Sequence, residues 1–190
     1  MIQQMLDNAL DWARNKPSDI NEHIDLLLEL GKECSHITEM GVRTGVSTRA
    51  FMQTDATLRC YDLELNPRLV EIFEVLQKDG RDVEYIKADV LDLDIVETDL
   101  LFIDTWHAGV QLEQELKIHG NKARKYIAFH DTHTFGTRDE ILDGRPYQLK
   151  PIAGEGLLPQ VIQFVIDNPH WRFKIHRTNN NGLTVLERCE

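Results

Sequence analysis

The chain has 190 residues and a formal net charge of -11, with 42% hydrophobic and 28% charged residues. This suits one globular domain, 1–190, with a substantial core. The acidic balance argues against nucleic acid as a partner. No apolar run approaches membrane-spanning length, and the N-terminus lacks the zones of a signal peptide, so no membrane partner is expected. Cys34, Cys60 and Cys189 are odd in number and widely spaced, with no C-x-x-C. They read as free thiols in a reducing, cytoplasmic setting.

Ile2, Met5, Leu6, Ala9, Leu10 and Ala13 share one helical face. Pro17 ends that helix, Ser18 is a good N-cap, and Ile20, Ile24, Leu27 and Leu28 mark a second helix. These two helices, within 1–34, precede the first strand and serve as a cover for the sheet or as a lid over a site. His36-Ile37-Thr38 reads as a buried strand and Thr48 to Met52 as the opening of a helix, with Glu39 to Ser47 between them. Further strands are expected at Thr57–Tyr61, Val83–Ala88, Leu100–Ile103 and Tyr126–Phe129. Helices follow from Asn66-Pro67 and from about Gly109 to Asn121, while Leu91 to Thr98 reads as loop or short helix. A polar segment, Thr132 to Glu155, precedes a last helix marked by Leu158, Val161, Ile162 and Val165. Trp171–His176 and Leu183–Leu186 flank Asn179-Asn180-Asn181-Gly182, a strong hairpin signal. Alternating strands and helices followed by a hairpin predict a doubly wound, mostly parallel α/β sheet with an antiparallel end.

The strand–turn–helix around Gly41 and Gly45 suits the polar parts of a nucleotide-like cofactor. Asp62 lies about twenty residues on, where such folds place an acid on the ribose hydroxyls. The loop is not G-x-G-x-x-G, because Arg43 stands where dinucleotide folds want glycine.

This order of elements resembles the class I S-adenosylmethionine-dependent methyltransferases, a Rossmann-like fold with a seven-stranded sheet and a reversed final strand. The pattern E-x-G-x-x-x-G-x-S from Glu39, then F-I-D-x-x-H from Phe102, then a strand ending His130-Asp131, is similar to the small branch related to cephalosporin hydroxylase-like and sugar O-methyltransferases. The resemblance implies that Glu39, Gly41, Arg43, Gly45 and Ser47 form the loop under the methionine part of S-adenosylmethionine. It implies that Asp62 meets the ribose and Asp89 the adenine amino group. Arg43 either contacts the cofactor carboxylate or points away.

Asp104, His107, His130, Asp131 and His133 fall at or beyond two strand ends, the edge where open α/β sheets bind ligands. The resemblance to metal-dependent O-methyltransferases implies a divalent ion such as Mg²⁺ or Mn²⁺ at Asp104, His130 and Asp131. An imidazole there favours a softer ion than Mg²⁺; the alternative is no metal, with His130 turned elsewhere. His107, at the offset of the general base in catechol-type enzymes, is the candidate base beside Asp104, with His133 a weaker one. Trp106 is a candidate to cover the site, and Arg138, Arg145 and Tyr147 are candidate acceptor contacts. The expected function is methylation of a small molecule, at a hydroxyl of a sugar or other polyol. Two alternatives stand beside it: a non-catalytic cofactor-binding or assembly protein, and a metal-dependent hydrolase or oxygenase using Asp104, His107, His130 and Asp131. The acceptor and any homo-oligomer are beyond the sequence.

Overall fold

A computed structural model of the chain describes residues 2–141 and 153–189. Seven strands form one sheet in the order β3-β2-β1-β4-β5-β7-β6. They are β1 (His36–Met40), β2 (Thr57–Asp62), β3 (Val83–Lys87), β4 (Thr98–Ile103), β5 (Ala123–His130), β6 (Trp171–Arg177) and β7 (Leu183–Arg188). β1 to β5 pair in parallel, β7 lies antiparallel between β5 and β6, and the chain reverses its winding between β1 and β4. The predicted mostly parallel sheet with a terminal hairpin is present.

The helices are α1 (Ile2–Asn15), α2 (Ile24–Lys32), α3 (Val46–Phe51), α4 (Pro67–Lys78), α5 (Gly109–His119) and α6 (Leu157–Asp167). Asn66 caps α4, accepting from the Arg68 N–H, with Pro67 at the first position where its missing N–H costs nothing. Between β3 and β4 there is only a single 3₁₀ turn, Val90–Asp92. β4 is buried along its whole length and alternates between two cores: Leu100 and Phe102 face α1 to α4, while Leu101 and Ile103 face α5 and α6. β5 does the same with Tyr126 and Ala128 against Ile127 and Phe129. The strand period of two therefore sends Asp104 and His130 toward the α1–α2 side of the sheet.

α1 and α2 pack on α3 and cover that face. The connection between them also reaches the strand ends. Asn180 in the β6–β7 turn accepts from the Glu22 N–H at 3.0 Å and donates to the Ser18 carbonyl at 2.8 Å. Ser18 accepts from the Asn21 N–H at 3.1 Å, but it does not cap the second helix as expected: a 3₁₀ turn, Asn21–His23, intervenes, and α2 starts after His23 with no side-chain cap. Among the described residues no helix is long and apolar enough to cross a membrane.

Gly41 follows β1 with φ at +83°, and a Cβ there would lie 2.0 Å from the Asp104 carbonyl oxygen. Its glycine is required by the neighbouring strand end. Gly80 has φ at +86° but open space around it. Gly80→Ala should therefore cost only the left-handed strain, roughly 1–2 kcal/mol. Gly41→Ala should cost clearly more, lowering Tm by on the order of 5 °C or more beyond Gly80→Ala. Thermal melts of the two variants check this, and equal shifts would contradict it.

Candidate functional site

A cavity of about 450 Å³ opens at the carboxyl ends of β1 to β4. That volume lies within the range of small-molecule sites. Gly41, Val42 and Arg43 form one side, Tyr61 to Glu64 a second, and Ala88, Asp89 and Val90 a third. Asp104, Thr105 and Trp106 close it from β4, with Gln111 from α5.

Asp62 organises the loop. Its Oδ2 accepts from the N–H groups of Val42 and Arg43, both at 2.8 Å, and its Oδ1 accepts from the Glu64 N–H at 3.2 Å. Two N–H groups of the loop are thus already held by a carboxylate. Asp62 still lines the cavity and has acceptor capacity left, since an ionised carboxylate offers about four lone-pair sites. Asp89 accepts from the Leu91 N–H through Oδ1 at 3.0 Å and also lines the cavity.

Arg43 sits at φ +51°, an uncommon conformation for a side-chain-bearing residue. Its Nη2 donates to both oxygens of Asp19 at 2.8 Å. Of the two orientations left open by the sequence, the structure shows pairing with the α1–α2 connection, with Arg43 still on the cavity wall.

Three residues expected to bind the cofactor are not on that wall: Glu39, Gly45 and Ser47. Glu39 lies on the same face of β1 as Ile37, turned toward α3. There its Oε1 accepts from the Ser47 hydroxyl at 2.5 Å and its Oε2 from the Cys60 thiol at 3.0 Å. Glu39 and Cys60 are direct register partners across β1 and β2. Gly45, at φ +71°, packs against Leu69, where a Cβ would lie 2.6 Å from the side chain. These residues support the loop from beneath.

On the other side of Asp104 lies a cluster of two acids and two histidines. His107 Nε2 stands 3.4 Å from Asp104 Oδ1 and 2.9 Å from Asp131 Oδ2. His130 Nδ1 stands 3.2 Å and 2.9 Å from the same two oxygens. His130 Nε2 faces the carbonyls of Asp19 at 2.9 Å and Asn180 at 3.1 Å, which fixes it as the donor nitrogen. Asp131 has φ at +60°, and its Oδ1 is buried with no partner. Burial works against charge on both histidines, but the Asp104 and Asp131 carboxylates outweigh it and hold both pKa values well above the usual imidazole range. Burial likewise opposes ionisation of Asp104 and Asp131, and the histidines overcome it, holding both acids below the usual carboxylate range.

Among the described residues, Asp104, His107 and Asp131 bring one ligand atom each to within 4.8 Å of one another, and His130 Nδ1 meets the same two carboxylates. His133 is exposed and stays outside, its N–H bound to the Asn181 carbonyl.

Other contributors were not singled out in the sequence. Glu140 brings an oxygen to 3.1 Å from His107 Nδ1, while its N–H donates to the His107 carbonyl at 2.8 Å. Phe135 stacks on the His107 ring at 4.9 Å between centroids. Asp139 accepts from the N–H groups of Gly109 and Gly156, both at 2.7 Å, tying the loop after β5 to the starts of α5 and α6. Buried Glu115 accepts from Thr105 at 2.7 Å and Gln111 at 2.8 Å, two residues of the cavity wall. Only the i, i+4 spacing of Gln111 and Glu115 was visible in the sequence as a helical pair. Arg138 is exposed and donates to the Thr134 carbonyl at 3.3 Å. Arg145 and Tyr147 lie outside the described residues.

Glu39 gives the site a stability signature. Complete burial pushes its carboxyl up to about 7 against the ordinary 4.5, despite the hydrogen bonds from Ser47 and Cys60. Below the unfolded value both states hold the proton. Between about 4.5 and about 7 the unfolded chain loses it and the folded chain keeps it, so stability falls as pH rises. Glu39→Gln removes that component, so wild type should lose up to about 3 kcal/mol relative to the variant across this window, with a constant difference above it. Denaturant unfolding of both proteins from pH 4 to 8 measures the difference; a pH-independent gap would contradict it.

No family model matches the chain, and no curated protein matches it in sequence. Solved structures do match its fold. The SAH-bound methyltransferase PaMTH1 from Podospora anserina aligns with a TM-score of 0.60 at 16% identity, covering 97% of this chain and 88% of that one. A putative caffeoyl-CoA O-methyltransferase from Staphylococcus aureus aligns at 0.56 and 16% identity, covering 88% and 83%. The N-methyltransferase NodS from Bradyrhizobium japonicum WM9, in complex with S-adenosyl-L-homocysteine, aligns at 0.59 and 14% identity, covering 100% and 99%. Oxygen and nitrogen methylation both appear among these likenesses, so the fold does not select the acceptor atom. The chain has the Rossmann-like fold of class I methyltransferases.

Proposed function

We propose that the chain is an S-adenosylmethionine-dependent methyltransferase, acting at a hydroxyl of a small sugar- or polyol-like acceptor. The observation that carries the cofactor reading is the cavity formed around Asp62. Its wall carries Asp62, Glu64, Asp89 and Asp104, and the loop N–H groups of Val42 and Arg43 are taken by Asp62. A dinucleotide brings phosphates that need such N–H groups and would be repelled by this wall. A nucleoside joined to a sulfonium brings hydroxyl and amino donors and a positive charge, which suit it.

In this reading Asp62 and Asp89 hold the ribose and adenine ends. Gly41 and Arg43 line the part of the wall that would take the methionine end. When bound, the cofactor supplies a methyl group already activated for displacement. The protein then has to align the acceptor and deal with its proton, and alignment alone can be worth on the order of 7–11 kcal/mol. Glu39, Gly45 and Ser47 act by holding the loop. The whole chain serves as one methyltransferase-like unit.

The oxygen acceptor is supported by the shared wall of cavity and cluster. Asp104 belongs to both. A neutral amine already presents a lone pair, whereas an alcohol must give up a proton. Asp104 and His107 stand where that proton, or an ion that acidifies the hydroxyl, would be handled. Metal binding fits the donors present: two carboxylates, an imidazole, and a buried Asp131 oxygen with no partner. A bound divalent ion would act as a Lewis acid toward a hydroxyl.

Calorimetric titration with S-adenosylhomocysteine tests the cofactor reading. Wild type should bind saturably. Asp62→Ala should lose that binding and also lose about 1–3 kcal/mol of stability, because two loop N–H groups lose their acceptor. Asp89→Ala should weaken binding roughly tenfold with less effect on stability, in line with one lost hydrogen bond. Absence of binding by folded wild type would overturn the reading.

A further inference from the structure

We infer that Gln111 makes the cavity selective for an amino-bearing purine over its oxo counterpart, and that buried Glu115 is the positioning residue that holds the Gln111 amide in the accepting orientation. The inference rests on the cofactor reading above and says how the base end of the same cavity tells one nucleoside from another.

Gln111, Glu115 and His119 are spaced four residues apart, so they stack along one face of α5. That helix packs on the 3₁₀ turn after β3. His119 Nε2 lies 2.7 Å from the Val90 carbonyl, which can only accept, so this nitrogen is the donor. The polar stripe is thereby tied to the residue next to Asp89. Asp89 is also close enough to Glu115 for its charge to oppose ionisation of that carboxyl. Gln111 lies on the cavity wall together with Ala88, Asp89 and Val90.

Glu115 fixes the orientation of its neighbours. It is completely buried, and its Oε1 accepts from the Thr105 hydroxyl at 2.7 Å and from Gln111 Nε2 at 2.8 Å. Its Oε2 is buried with no hydrogen-bond partner among the described residues. A carboxylate in such a place is unfavourable, and an apolar side chain would fill the same helix–sheet contact without that penalty. What the carboxylate adds is direction. An ionised carboxylate has no proton to give, so Gln111 must turn its NH₂ toward Glu115, and its carbonyl oxygen is the amide atom left to meet a ligand. Thr105, also on the cavity wall, gives its only hydroxyl proton to Glu115 and can then only accept from a ligand. Beside Asp89, this end of the cavity therefore offers acceptors from three side chains. Adenine brings an amino group to such a wall. Hypoxanthine carries a carbonyl at the same ring position, which would set oxygen against oxygen.

The test is titration calorimetry of the full-length protein with S-adenosylhomocysteine and with its deaminated analogue, S-inosylhomocysteine. Burial pushes the Glu115 carboxyl up to about 7, so the titrations are run at pH 8, where it is ionised. Wild type should prefer S-adenosylhomocysteine by at least about 100-fold, because the oxo base forfeits hydrogen bonds and leaves buried acceptors unpaired. Gln111→Leu should narrow that preference roughly tenfold, in line with one lost hydrogen bond. Glu115→Gln lets the Gln111 amide turn, so it should narrow the preference through tighter binding of S-inosylhomocysteine, a gain that a merely structural role would not produce. A melt and a circular dichroism spectrum confirm that each variant is folded. Gln111 is only half-buried, so its variant keeps the test decisive should Glu115→Gln fail to fold. Equal binding of the two compounds by wild type, a preference unchanged in folded Gln111→Leu, or no gain for S-inosylhomocysteine in folded Glu115→Gln would overturn the inference and spare the methyltransferase, since S-adenosylhomocysteine still binds. Failure of folded wild type to bind either compound would overturn the cofactor reading and this inference with it.

Discussion

The rest of the site depends on one carboxylate, Asp62, reaching across from β2 to hold the turn after β1. By accepting from Val42 and Arg43 it fixes the loop's shape and takes up two of the loop's N–H groups. The same contact leaves a cavity whose walls are acidic. Gly41 lets the loop run against the Asp104 carbonyl, so the end of β4 and the turn after β1 form a single surface. Loop shape, cavity charge and the position of Asp104 are therefore consequences of one packing arrangement at the point where the strand order reverses.

From Asp104 the site extends into a second environment. The buried cluster with His107, His130 and Asp131 is bound to the periphery at several points. Asp19 pairs with Arg43 by its side chain and meets His130 by its carbonyl. Asn180 receives His130 on one side and fastens Ser18 and Glu22 on the other. The connection between α1 and α2 thus covers the sheet and also touches the groups that surround the cavity. The N-terminal helices pack on α3 while their linker meets Arg43 and His130.

Much of this was legible in the sequence. The strand periods of β4 and β5, the Asn66-Pro67 helix start and the Asn-rich turn before β7 each express a local rule, and the sheet follows from their order. Arg43 in place of glycine, Asp62 at the end of β2 and the Asp104/His107/His130/Asp131 set were also visible. Side-chain direction was not. Glu39 belongs to the motif by position, yet the pleat of β1 turns it toward α3 and Ser47. Asp62 reads as a ribose ligand, but nothing in its spacing reveals that backbone N–H groups hold it first. Which histidine meets the α1–α2 connection was not legible either, because that depends on which ring nitrogen faces the two carbonyls there. Glu140 was hidden for a similar reason: its approach to His107 is set by Asp139 tying the loop after β5 to α5 and α6.

The central claim is that this cavity is built for a cationic nucleoside cofactor and against a phosphate-bearing one. The most direct measurement is side-by-side titration calorimetry of the wild-type protein with S-adenosylmethionine and with NAD⁺, at low and at physiological salt. The account predicts saturable binding of S-adenosylmethionine, stronger at low salt because the acidic wall attracts the sulfonium, and no measurable binding of NAD⁺. Saturable NAD⁺ binding with none for S-adenosylmethionine would contradict it.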